Sequence, residues 1–403
     1  MKVRKNMIAI MLLACVGCMG CAKEQPKTDA GNESKSEDTR NTENETESGN
    51  TGSAAGKQDF PEKFQESVNG VTFDTVIQIS EEAELGNLHQ VTATLQQPDI
   101  GKAKAMFSEG KTVTEEKNET GSGEDGIEYP SYTANYEDGA FLRASTVLVY
   151  STPVFEKVYG AFRLDNDYNA DKYSKDAVME IGDPRTIFDT VLKNINGAGY
   201  QLEETAYDYY ALDHETMEKE YRAFDKSGQE LGADTLSWGA ENDCYFFTAV
   251  QQHEGLPVYF GSQDFPEDGE SNRPIQVLYS ADGIERLEVS RLYSFSEPGE
   301  TVSLLDFGTI AETVSKKYGD VIGASYTVKR AELYKMPVKQ AGSTYDIKIV
   351  WLFEVTESGV DSDTGKEYEY TQYMFVDAAD GTEVFFSEEA EEIFPDRNQP
   401  PVP

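Results

Sequence analysis

The sequence predicts an α+β protein in which antiparallel sheets are each covered by a helix. Three observations carry that class. Short runs alternate apolar and polar residues and are punctuated by Asp-Gly turns at Glu137-Asp138-Gly139, Ala281-Asp282-Gly283 and Asp380-Gly381. Apolar stripes at helical spacing open behind aspartates, at Asp99, Asp183 and Asp213, as N-capping carboxylates require. A helix followed by a meander of strands recurs at about 98–152, 184–295 and 303–386, which suits helices laid on sheet faces.

The chain opens with Met7–Cys21, MIAIMLLACVGCMGC, behind the basic residues Lys2, Arg4 and Lys5. A spanning helix needs about 20 apolar residues and this run is shorter, so the pattern reads as a secretory signal. The small residues before each cysteine resemble the lipobox of bacterial lipoproteins. Leu12-Leu13-Ala14-Cys15 satisfies the aliphatic rule, and Cys18 and Cys21 each follow a glycine. Cys21 is the expected acylation site, because hydrophobicity stops there and a polar tract begins at once. Two or more acyl chains anchor a protein stably, so the mature chain is expected on the extracellular face of the cytoplasmic membrane.

From Ala22 to Asp59 there is no Val, Ile, Leu, Met, Phe, Tyr or Trp, so this stretch cannot offset its ordering entropy and reads as a disordered tether. Beyond it we expect an N-terminal α+β domain over 60–180, a C-terminal α+β domain over 181–386, and an acidic, Pro-rich tail over 387–403. Strands are expected at 71–79 and 91–95, a helix at 100–107, and two strands within 128–152. Asp183-Pro184 starts a helix with Ile187, Val191, Leu192 and Ile195 on one face and Gly197 at its end. A second helix follows at about 214–224, then strands at 245–250, 256–260, 275–279 and 287–295. The last unit is a helix over 304–318 and strands at 326–333, 345–355 and 368–375.

Composition narrows the partners. Net charge is −39 and becomes about −42 once residues 1–20 are removed, since Lys2, Arg4 and Lys5 leave with no acidic group. That excludes nucleic acid, whose phosphates need clustered cations. Of four cysteines only Cys244 lies in the body, so no disulfide framework holds it. Cys244 sits in a strand-like run and reads as a buried small hydrophobe. His89, His214 and His253 are far apart in sequence, which gives no support to a histidine zinc site or a serine-protease triad.

The segment from Leu304 to Val384, ending in Val376-Asp377-Ala378-Ala379-Asp380-Gly381-Thr382-Glu383-Val384, resembles the PepSY-like pattern. That resemblance implies two or three PepSY- or cystatin-like units. Gly255-Leu256-Pro257-Val258, the hairpin through Tyr279–Gly283, the helix at 304–318 and Trp351 are similar to Yyc-type envelope regulators of a sensor kinase. Those proteins carry an N-terminal membrane helix where this chain carries a lipoprotein-like signal. Leu212–Glu218, Trp238 and Asp243–Phe247 resemble a family of uncharacterised clostridial lipoproteins. None of these resemblances supplies a catalytic residue.

For a metal, the best spacing is Asp165, Asp167, Asn169, Asp171 and Asp176, oxygen donors set out as in a calcium loop. Ala170 stands where such loops carry glycine and Lys172 where they carry an aliphatic residue, so the same stretch also reads as a solvated loop that needs no cofactor. No glycine-rich phosphate loop and no Gly-x-Ser-x-Gly elbow is present. The expectation is therefore a non-enzymatic envelope lipoprotein, a binding or regulatory module with a protein partner. The alternative is a solute- or glycan-binding lipoprotein, which requires a deep cleft with convergent polar groups.

Overall fold

The computed structural model describes residues 60–122, 127–164, 168–224, 230–231, 236–261, 273–319, 324–340, 342–361 and 364–385. The expected lipidation site Cys21, the tether at 22–59 and the tail at 387–403 lie outside the described residues.

In chain order the body begins with β1 (Lys63–Val68), β2 (Val71–Gln78), β3 (Val91–Leu95) and α1 (Ile100–Phe107). Next come β4 (Val113–Ser122), β5 (Glu128–Tyr136), β6 (Phe141–Ala144), β7 (Leu148–Ser151), α2 (Pro153–Tyr159) and α3 (Pro184–Gly197). They are followed by β8 (Glu204–Leu212), α4 (His214–Glu220), the short β9 (Ala223–Phe224) and β10 (Glu230–Leu231), β11 (Cys244–His253) and β12 (Leu256–Pro257). The chain continues through β13 (Ile275–Ser280), β14 (Gly283–Val289), β15 (Tyr293–Phe295), α5 (Phe307–Tyr318), β16 (Ala324–Lys339), β17 (Thr344–Val360) and β18 (Glu367–Asp377).

The α+β class holds. Two large, mostly antiparallel sheets share these strands. The first runs β1-β2-β16-β17-β3-β15 with β18 also on β17, and the second runs β12-β11-β13-β14-β7-β6-β5-β4 with β8 on β11. The partition does not follow the chain. Residues 63–95 share a sheet with 293–377, while the strands between them build the other, apart from β9 and β10, which pair only with each other; the stretches at 98–152 and 184–289 contribute to one large sheet rather than two. Parallel pairing of β2 on β16, Thr72 opposite Thr327, seals the first sheet.

Helices cover the faces as their stripes demand. Phe307, Ile310, Val314 and Tyr318 of α5 pack on Val71, Phe73, Val328, Trp351 and Phe353. Ile187, Phe188, Val191 and Ile195 of α3, with Phe107 of α1, pack on Tyr245, Phe247, Val277 and Leu287. Asp99, Asp183 and Asp213 cap as expected, each accepting from the backbone N–H three residues on. Asp306 does the same for α5.

Several expectations change. Residues 128–152 form three strands, because the chain also turns at Ser145–Val147 without a glycine. The helix after Asp213 stops at Glu220, where Tyr221 is already extended. The run 287–295 is two strands in different sheets, broken at Arg291, whose φ is 49°.

Candidate functional site

Where the two sheets meet, the chain crosses between them and buried polar side chains do the joining. Gln251 of β11 (4% exposed) substitutes for a strand partner: its Nε2 donates to the Tyr293 carbonyl and its Oε1 accepts from the Tyr293 N–H, both at 2.8 Å. Gln96 works alike between Tyr293 and Gln201. After β12, Val258 pairs in parallel with Lys335, and the Tyr259 N–H donates to the Lys335 carbonyl. Satisfied amides are what allow such a junction to be buried.

Between the sheets lies a cleft of about 1050 Å³. One wall is β2 and β16, presenting Ile77, Arg330, Glu332 and Tyr334; the other presents Tyr207 and Asp208 of β8 with Phe260 and Arg273. Each wall pairs its own arginine with carboxylates. Arg273 Nη1 is 2.6 Å from Asp208, and Arg330 donates to Glu332 at 3.0 Å and Glu354 at 3.1 Å. Burial, then the Glu332 carboxylate, pushes the Tyr334 hydroxyl well above the usual tyrosine range, so it stays a neutral donor. Arg273 Nε is buried with no hydrogen-bond partner among the described residues.

Next in the chain to the cleft-lining residues Gln252 and Tyr334, four ionisable side chains converge. The β11–β12 turn is a two-residue loop, Glu254-Gly255, with φ of 52° and 73°, the left-handed pair that a tight hairpin needs. It carries Glu254 against the first sheet. Lys335 of β16, with no solvent exposure, donates to Glu254 Oε2 at 2.5 Å and to His253 Nδ1 at 2.7 Å. The other side of the carboxylate takes His89, whose backbone N–H is 3.0 Å from Oε2 and whose Nδ1 is 2.7 Å from Oε1. Since a carboxylate only accepts, His89 presents a protonated Nδ1; since an ammonium only donates, His253 presents a bare one. The His253 ring stacks on Phe295 of β15 with centroids 4.0 Å apart. Glu204 Oε2 accepts from the Gly255 N–H at 3.2 Å.

Electrostatics follow from this packing. Burial, then the neighbouring Lys335 charge, lowers the His253 imidazolium to about 4. Burial also depresses the Lys335 ammonium, with Glu254 opposing the shift. For Glu254, burial pushes upward but the Lys335 and His89 donors outweigh it, leaving the carboxyl below its ordinary value. The charged and neutral forms are thus complementary at neutral pH.

The sequence-derived metal ligands are placed as follows. Asp165 and Asp167 lie outside the described residues. Asn169 is buried, its Oδ1 accepting from the Arg163 N–H at 2.8 Å and its Nδ2 donating to the Ala161 carbonyl at 2.6 Å. Asp171 pairs with Lys172, and Asp176 is exposed. Cys244 is buried with its thiol pushed up by desolvation. The convergence of His89, His253, Glu254 and Lys335 has no sequence spacing to betray it; the nearest signal is the Glu254-Gly255 turn.

No family model matches the chain, and no curated relative matches it. Among solved structures it is similar to a crystal structure of an uncharacterized protein from Eubacterium rectale, with TM-score 0.56 and 17% identity over 81% of this chain and 94% of that one. At that identity the likeness is one of fold alone. The C-terminal domain of Bacillus megaterium YpeB aligns over 69% of this chain and 99% of that domain with TM-score 0.21 and 11% identity, too low a score to argue from.

Proposed function

We propose that the protein is a non-enzymatic lipoprotein of the cell envelope, anchored through Cys21, that works as a binding module with the cleft between its sheets as the binding site. The cleft carries this reading. It is about 1050 Å³, and its walls bring aromatic faces and arginines held by carboxylates from two different sheets. Concave sites of mixed apolar and oriented polar lining are where ligands bind. Lys335 and Cys244 are fully buried and lie outside the cleft lining. The PepSY-like unit, α5 with β16–β18, supplies Arg330, Glu332 and Tyr334 to one wall, so a regulatory partner of that unit would meet the cleft. The three aromatic residues Tyr207, Phe260 and Tyr334 also favour a second reading, a solute or glycan ligand.

The test is a photo-cross-linking residue in place of Phe260 in intact cells, with the same residue at Val178, which is 66% exposed and not part of the cleft, as control. A protein adduct formed only from position 260 supports the binding module, and a glycan adduct supports the second reading. Identical adducts from both positions, or none from either, would reject the cleft as a binding site. The anchor is tested by Cys21→Ser, which is expected to abolish palmitate incorporation.

A further inference from the structure

We propose that Lys335, Glu254, His253 and His89 form an acid-released clamp, which at neutral pH ties β16 to the β11–β12 turn and fixes the spacing of the cleft walls, and which in acid frees that end of the junction. The clamp belongs to the junction and does not depend on what the cleft binds.

The geometry makes it a clamp. Lys335 follows Leu333 and Tyr334 on one wall of the cleft, and the turn it grips joins Gln252 to Pro257 on the other. The side-chain grip is Lys335 on Glu254 and His253, with His89 on the far side of the same carboxylate; the Gly255 N–H also donates to Glu204, and Leu256 beyond the turn is buried in the core of the first sheet. Gly255 is wedged against the chain at Glu82, so near that a Cβ there would lie 2.2 Å from the Glu82 carbonyl oxygen. The turn therefore has one closely seated position, and losing the Lys335 grip would unseat it.

The chemistry makes it acid-released. His253 holds Lys335 only while Nδ1 is bare. A proton arriving there turns the acceptor into a donor facing an ammonium 2.7 Å away. The groups around it are Glu254 from the turn, with Oε2 at 4.0 Å, Glu204 from the start of β8, Lys335 from β16 and His89 from the segment before β3; β15 contributes only the uncharged Phe295. Glu254 already accepts from Lys335 and His89, so it is shared rather than free to compensate.

The closed junction holds the imidazolium near 4, below the model-peptide value of 6.5. Opening therefore takes up a proton between those values. The closed state keeps its advantage above that window and loses it as pH falls through it. With His253 rehydrated on opening, the open fraction at pH ~4.5 rises up to about 70-fold over neutral pH.

Amide hydrogen exchange on the full chain, at about pH 7.5 and about pH 4.5 with intrinsic rates corrected, reads this directly. Protection over 250–260 and 331–338 is expected to fall by tens of fold in acid, up to the limit above, while 350–356 in the middle of β17 stays unchanged. Equal protection at both pH values would overturn the proposal. His253→Phe keeps the stack on Phe295 and cannot take the proton, so its junction should not respond to acid; a wild-type response there would also overturn it. If that variant does not fold, Lys335→Met removes the opposing ammonium and is expected to shrink the acid response at least about threefold. An undiminished response would refute the clamp.

Discussion

Lys335→Met asks whether the buried ammonium holds the two sheets together or merely occupies space between them. Methionine fills the lysine stem, so no large cavity opens and the change isolates the charge. Glu254 then loses its cation but keeps the His89 N–H at 3.0 Å and ring N–H at 2.7 Å, and its side chain is 17% exposed. That places the loss at the low end of the about 3–5 kcal/mol range for breaking a buried pair. His253 loses a donor as well, worth about 1 kcal/mol, and the new apolar contact returns a similar amount. The expected net loss is about 3 kcal/mol at neutral pH. Glu254→Gln should cost about 2 kcal/mol, because Lys335, with its pKa already depressed by burial, can shed its proton instead of remaining an unpaired charge. In the double variant the two losses should overlap by about 2 kcal/mol. Urea unfolding followed by fluorescence of the fully buried Trp351 measures all three variants. If Lys335→Met is as stable as the parent, or the two changes are additive, desolvation has cancelled the pair and the cluster holds nothing.

Three more outcomes follow from the same geometry. Comparing wild type with His253→Phe, the stability difference should change by up to about 3 kcal/mol as pH falls from 6.5 to 4, with the wild type losing, because the folded pKa is depressed. Glu254, also depressed, is present in both proteins and cancels from their difference, so a wild-type midpoint that tracks the variant across the window would contradict this. Gly255→Ala, with φ of 73° and a clash at the Glu82 carbonyl, should cost about 3 kcal/mol, whereas Gly110→Ala, with φ of 72° and open space around it, should cost about 1 kcal/mol by the same urea assay. Equal losses would mean that backbone conformation, not packing of the turn, dominates. Cys244 should react with a thiol reagent only at the rate of unfolding, so rapid native labelling would show that its strand opens locally.

Much of the secondary structure was legible because it is written in local chemistry. Asp99, Asp183 and Asp213 announce helices through caps that the structure contains. The Asp-Gly turns announce hairpins through a backbone that glycine makes cheap. β1 escaped notice because its burial does not alternate, although Asn69-Gly70 after it was a readable turn signal. The break at Arg291 had no readable signal, since nothing in arginine advertises a positive φ. The candidate site was less legible still. His89, Glu254 and Lys335 come from positions 89, 254 and 335, brought together by sheet pairings that no local rule encodes. The three histidines looked isolated in sequence, yet two of them flank one carboxylate.

The way the first sheet is shared between the two ends of the body has a kinetic consequence. β2 cannot dock until β16 exists, and β3 gains its partners only when β15 and β17 have been made. A chain that emerges from its N-terminus must therefore keep β1–β3 waiting while the intervening sheet assembles, with their apolar faces unsealed. Such long-range pairing slows folding and prolongs the interval in which aggregation competes. A truncation after β15 would accordingly strand the beginning of the body along with its end.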